Sequence, residues 1–113
     1  MAETIAKQSD INFRVSLDEK QVPASIEWKA DDSGLEGTKP CKSVLISLWD
    51  GDEQTSLRID LWTKDMSVEE MRRFFYETFM GMAETYQRAT DEKDVAKEIR
   101  DFGDKFRQLT DVK

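Results

Sequence analysis

The chain has 113 residues, with 24 Asp and Glu against 17 Lys and Arg, no histidine and a single cysteine. That length sustains one hydrophobic core, and a net charge of −7 speaks against non-specific nucleic-acid binding, which needs a Lys/Arg surplus on one face. Lacking histidine, the chain has neither the commonest general base nor the commonest metal ligand; Cys41 alone makes no intrachain disulfide and no Cys-cluster zinc site.

Residues 1–10 hold no apolar run, so neither a signal peptide nor a membrane span is expected there, and this segment should fray. No window approaches the ~18–20 apolar residues of a membrane helix, so no membrane insertion is expected. An unpaired cysteine suits a cytoplasmic location. Residues 11–113 are expected to form a single α+β domain.

From Ile11 to Leu17 apolar and polar residues alternate strictly, the period of a half-buried strand. Asp18-Glu19-Lys20-Gln21 turns the chain, and Pro23 withholds a ladder bond at its own position. Ile26, Trp28 and Ala30 alternate with Ser25, Glu27 and Lys29 in a second strand. Asp31 to Pro40, with Gly34 and Gly37 and no periodicity, reads as one long loop. Ser43–Trp49 and Thr55–Trp62 give a third and fourth strand. The Asp50-Gly51-Asp52-Glu53 turn between them is built from residues that tolerate positive φ.

After Lys64 the period changes. Ser67-Val68-Glu69-Glu70 has capping-box spacing, and Met71, Phe75, Phe79, Met82 and Tyr86 make the apolar stripe of a helix over Val68–Ala89. Thr90-Asp91 offers a fresh N-cap. Val95, Ile99, Phe102, Phe106 and Leu109 then step by four, three, four and three along a second helix. The predicted fold is therefore α+β with order ββββαα: a four-stranded antiparallel meander with two C-terminal helices packed on one face. Helix 1 carries more apolar surface than one contact uses, which suits a central helix or a subunit neighbour.

Most candidate chemistry reduces to structure. Asp50, Asp52 and Glu53 do not complete a calcium loop, because Gly51 takes the second position and Leu61 the twelfth. The glycines at 34 and 37 lack the strand-turn-helix that aims amides at a phosphate. Cys41 has no histidine partner and reads as packing at the start of the third strand. No catalytic, cofactor-binding or metal-ligating residue is expected, and the chain is expected not to be an enzyme.

The sheet is more informative. If Val44, Ile46 and Leu48 face the helices, then Leu45, Ser47 and Trp49 face away; if Leu57, Ile59 and Leu61 face in, then Arg58, Asp60 and Trp62 face out. Leu45, Trp49, Arg58, Asp60 and Trp62 are the candidate protein-interaction residues, since exposed Trp and Arg are the composition of an interface hot spot. Arg58 and Asp60 are also candidates for a cross-strand ion pair. Self-association through the sheet face or helix 1 is one form of contact this allows.

Three stretches carry a resemblance over nearly the whole chain, from about Ile11 to Phe106. These are Leu57-Arg58-Ile59-Asp60-Leu61-Trp62-Thr63-Lys64-Asp65-Met66, Met71-Arg72-Arg73-Phe74-Phe75 and Met82-Ala83-Glu84-Thr85-Tyr86-Gln87-Arg88-Ala89-Thr90. Together with Leu17-Asp18-Glu19-Lys20-Gln21-Val22-Pro23 and Ile26-Glu27-Trp28, they resemble the gliding-motility-associated GldC family. The resemblance implies a small accessory protein of gliding Bacteroidetes, serving surface motility and the linked secretion machinery, with no cofactor and no catalytic residues to carry over. An acidic chain of this kind acts by binding, so an adaptor or stabiliser with a protein partner in that machinery is the leading expectation. The order ββββαα also resembles that of the export chaperone SecB, which makes a cytoplasmic holdase the alternative, on fold-level analogy alone.

Overall fold

The computed structural model describes residues 4–113, which divide into two compact units, one ending at Met66 and the other Ser67–Lys113. Of the segment expected to fray, residues 1–3 lie outside the described residues and 4–10 form no helix or strand. Lys7 and Ser9 nevertheless both donate to the carboxylate of Asp32, Lys7 at 2.6 Å.

The first unit holds β1 (Ile11–Leu17), β2 (Pro23–Ala30), β3 (Lys39–Cys41), β4 (Ser43–Asp50) and β5 (Thr55–Trp62). They form two antiparallel sheets, one in the order β1-β2-β3 and the other a β4-β5 pair, in place of the single four-stranded meander expected. The difference lies in the glycine-containing segment. Its last two residues, Lys39 and Pro40, pair with Trp28 and Glu27, and Cys41, expected to begin the next strand, pairs with Ile26. Pro40 has no N–H to donate, which keeps this ladder short. Beyond Lys42 the chain pairs with β5 instead, so a strand of one sheet follows a strand of the other with one residue between them.

The residues after β5 stitch the two sheets together. Thr63 donates its N–H to the Lys42 carbonyl at 2.8 Å, and Lys64 donates to the Pro23 carbonyl at 3.1 Å. Thr63 is only 2% exposed, and its hydroxyl donates to Asp65 Oδ1 at 2.5 Å, so the buried oxygen is satisfied. Ile26 and Val44, one from each sheet, are the buried apolar residues of this unit.

The second unit is an α-helical hairpin of α1 (Val68–Thr90) and α2 (Lys93–Thr110). The capping box forms as the spacing requires: Glu70 N–H donates to Ser67 Oγ and Ser67 N–H to Glu70 Oε1, both at 3.0 Å. The second expected cap forms only in part: the Thr90 hydroxyl accepts from the Glu92 N–H at 3.1 Å, but α2 starts beyond it. Thr90 is the last residue of α1, its hydroxyl donating to the Tyr86 carbonyl at 2.8 Å, and Asp91 closes α1 in the left-handed region at φ 58°. Glu92 is the N-cap of α2 and makes no side-chain capping bond, because its carboxylate accepts from the Tyr86 hydroxyl at 2.6 Å.

Small residues bring the two helices together. Ala83 and Ala96 are fully buried, and Gly103 is buried where a Cβ would stand 2.9 Å from Met80 Cε and 3.4 Å from Phe79 Cβ. The aromatic rings pack to one side of this seam. Phe79 lies 5.3 Å, centroid to centroid, from both Phe102 and Phe106, and Phe75 stacks on Phe106 at 6.5 Å. On the other side Arg100 bonds Gln87 and the Arg107 guanidinium sits 5.7 Å above the Tyr76 ring.

Candidate functional site

The β4–β5 hairpin is closed by a turn in which Asp50 does most of the bonding. Its Oδ1 accepts from the N–H groups of Asp52 and Glu53 at 3.0 and 3.2 Å, and its carbonyl accepts from Gln54 at 2.9 Å. The left-handed residue is Gln54, at φ 56°, rather than Gly51 or an aspartate. Asp50 is thereby occupied with turn amides, and among the described residues no group of three or more His, Cys, Asp or Glu is placed to hold a metal ion.

Eight facing pairs, from Ser43 with Trp62 to Asp50 with Thr55, set the register. Because strand side chains alternate between faces and facing residues share one, Ser43, Leu45, Ser47 and Trp49 lie on the same face as Trp62, Asp60, Arg58 and Ser56. All five candidate residues, Leu45, Trp49, Arg58, Asp60 and Trp62, are thus on one face. Leu45 is half-buried, while Trp49 and Trp62 are 65% and 54% exposed. Trp62 stands level with Ser43 and six residues of rise from Trp49, so the two indoles flank the face about 20 Å apart. Arg58 and Asp60 do pair, at 2.8 Å, but along β5 and not across the strands. Both are partly exposed, so the pair contributes about 0–1 kcal/mol and serves mainly to orient the guanidinium. The opposite face carries Val44, Ile46 and Leu48 with Leu61, Ile59 and Leu57, of which Leu48, Leu57 and Ile59 are about half exposed.

At the Trp62 end the face continues into a depression of about 250 Å³ lined by Val22, Pro23, Asp60, Leu61, Trp62 and Lys64. Val22, Pro23 and Lys64 were not among the sequence candidates, because what brings them there is tertiary. Lys64 pairs with Asp18 at 3.0 Å, across 46 positions of sequence. Asp18 Oδ1 also accepts from the N–H groups of Lys20 and Val22, at 2.8 and 3.0 Å, and Gln21 takes the left-handed conformation at φ 64°. The Val22 amide foremost, and then the Lys64 ammonium, hold the Asp18 carboxyl below its ordinary value of 3.8. This Asx-type turn fixes the edge against which Trp62 lies.

Cys41 ends β3 opposite Ile26 and borders a separate depression of about 310 Å³ with Ala24, Lys42, Thr63 and Asp65. Burial pushes its thiol above the usual range, which lowers its thiolate content at neutral pH. Gly34 and Gly37 both adopt positive φ in an exposed segment. Among the described residues no helix is long and apolar enough to cross a membrane.

Residues 23–112 match the family model described as Gliding motility-associated protein GldC-like, and the chain belongs to that family. The matched span begins at Pro23 and contains every residue of the tryptophan-bearing face. No curated protein and no solved structure matches the chain.

Proposed function

We propose that this member of a gliding-motility-associated family is a non-enzymatic accessory protein, a binding adaptor or stabiliser for a protein of the motility or linked secretion machinery, working in the cytoplasm. The partner docks on the β4–β5 face. The observation that carries this reading is the placement of Leu45, Trp49, Arg58, Asp60 and Trp62 on a single hairpin face with both indoles more than half exposed. Two Trp side chains supply large apolar area with few rotors to freeze, and an Arg already oriented by Asp60 offers a planar donor fork. The depression beside Trp62 gives an anchor side chain of the partner somewhere to enter, next to the Lys64 ammonium.

The test is capture from lysate of a gliding bacterium with the parent protein and Trp62→Glu in parallel, followed by reconstitution with each captured protein in purified form. One or two folded motility or secretion components, binding the parent at least tenfold more tightly than Trp62→Glu, support the adaptor reading. A broad set of unfolded precursors, held equally by both, would replace it with a holdase of the SecB kind.

A further inference from the structure

The helical hairpin carries a second apolar surface that the tryptophan face does not explain. In α2 Ala96 and Gly103, seven apart, are buried in the seam with α1, with half-buried Thr110 at the same spacing beyond them; one position earlier, also seven apart, stand Val95, Phe102 and Leu109, exposed by 44%, 51% and 73%. In α1 the same spacing joins Val68, 67% exposed, Phe75, Met82, 54% exposed, and Ala89. The contacts of Phe79 with Phe102 and of Phe75 with Phe106 place both stripes on one side of the hairpin. Two adjacent seven-residue seams on one helix are the pattern of a helix with two helical neighbours, packed knobs-into-holes. Only one of those neighbours belongs to the hairpin.

We propose that the second neighbour is another copy of this chain, the two hairpins closing face to face into an antiparallel four-helix bundle. The stripes are self-complementary. Val95 and Leu109 are each seven residues from Phe102, so a two-fold axis at Phe102 sets Val95 of one copy beside Leu109 of the other. In α1 the midpoint of Phe75 and Met82 and the midpoint of Val68 and Ala89 coincide next to Phe79, whose ring lies 5.3 Å from those of both Phe102 and Phe106, so the centre of the α1 stripe falls within one helical turn of Phe102. One axis passing close to Phe102 therefore serves both helices, as an isologous interface demands. Charge agrees with this: Glu98 and Lys105 flank the α2 stripe almost symmetrically about Phe102, and neither forms an ion pair among the described residues. The axis brings Glu98 of each copy to Lys105 of the other, two pairs per dimer. The five most exposed side chains of the stripes present roughly 500 Å² of apolar surface per copy, about the apolar share of an 800 Å² half-interface.

The experiment is sedimentation equilibrium of the full chain and four variants at concentrations up to about 100 µM, with circular dichroism as the check on helix content. The expected result is a parent of twice the chain mass or a multiple of it, and a Phe102→Glu variant of single mass with its helices retained. Glu98→Lys weakens association about tenfold, and Glu98→Lys combined with Lys105→Glu restores it, because the reversed charges meet again. Should Phe102→Glu lose its helices, the charge-reversal pair decides on its own. A parent that stays single at 100 µM, or an oligomer indifferent to both the Phe102 and the charge variants, overturns the proposal and gives the stripe to another occupant. Trp62→Glu leaves the mass unchanged, so failure here and failure of the adaptor reading are separately visible.

Discussion

The β4–β5 hairpin and the α1–α2 hairpin are each two antiparallel elements joined by a tight turn, yet they send their apolar side chains to different places. The strand period of two divides Val44, Ile46 and Leu48 from Leu45 and Trp49, so the ribbon has apolar residues on both faces and no interior; Val44 alone of these is buried. The helix period gathers apolar residues on one arc, and the interior so made is filled by Ala83, Ala96 and Gly103. Where backbones approach that closely, large side chains are pushed to the rim, which is why Phe102 and Met82 are half exposed. A residue's size is thus a poor guide to its burial in either unit. Large exposed apolar groups arise in the ribbon from the absence of an inside, and in the helices from an inside reserved for small residues.

Breaking the rim cluster is the largest perturbation this contrast suggests. Phe79 touches the rings of Phe75, Phe102 and Phe106, so Phe79→Ala is expected to destabilise the helical unit by about 3 kcal/mol, read by chemical denaturation followed at 222 nm. A loss under about 1 kcal/mol would mean the small-residue seam alone holds the helices.

The two helical glycines sharpen the comparison. Nothing lies within 4 Å of a Cβ placed on Gly81, so Gly81→Ala should gain up to about 1 kcal/mol from helix propensity. At Gly103 the same change drives a Cβ toward Met80 Cε, and the mobile thioether must move, so the gain should be smaller or absent. Equal gains at both positions would deny that Gly103 sets the helix spacing.

The smallest expected effect belongs to the strand unit. Because the folded Asp18 carboxyl is held below 3.8, it favours the folded state above that value, and its contribution disappears as pH falls through the depressed one. Asp18→Asn keeps the turn acceptor but loses the ion pair with Lys64. Its acid unfolding, followed by tryptophan fluorescence, should therefore depend less on pH below 4 than the parent's, an effect confined to the acid limb. Identical acid limbs would deny the pairing a role in fixing the Trp62 edge.

Much of this was legible from period and local chemistry. Alternation alone assigned Leu45, Trp49, Arg58, Asp60 and Trp62 to one face, and the register confirms that placement. The Ser67–Glu70 box was equally local and forms with both bonds. Failures came where a distant partner decided. A three-residue strand containing Pro40 has no period to detect, so Lys39 and Pro40 read as loop, Cys41 reads as the start of the next strand, and the division into two sheets leaves no signal in the sequence. The Thr90 hydroxyl accepts from Glu92 as a cap would, yet it also donates to the Tyr86 carbonyl within α1, a local competition that residue type alone does not resolve. The floor of the Trp62 depression depends on Asp18 reaching Lys64, which no local pattern encodes.

The central claim, that the tryptophan face is where the partner binds, is tested most directly by fluorescence of a Trp28→Phe variant, whose emission comes only from Trp49 and Trp62. Titrated with its purified partner, the variant should show blue-shifted emission and a severalfold loss of acrylamide quenching, because both indoles leave water. A partner that binds with full affinity while both indoles remain as quenchable as in the free protein would contradict the account.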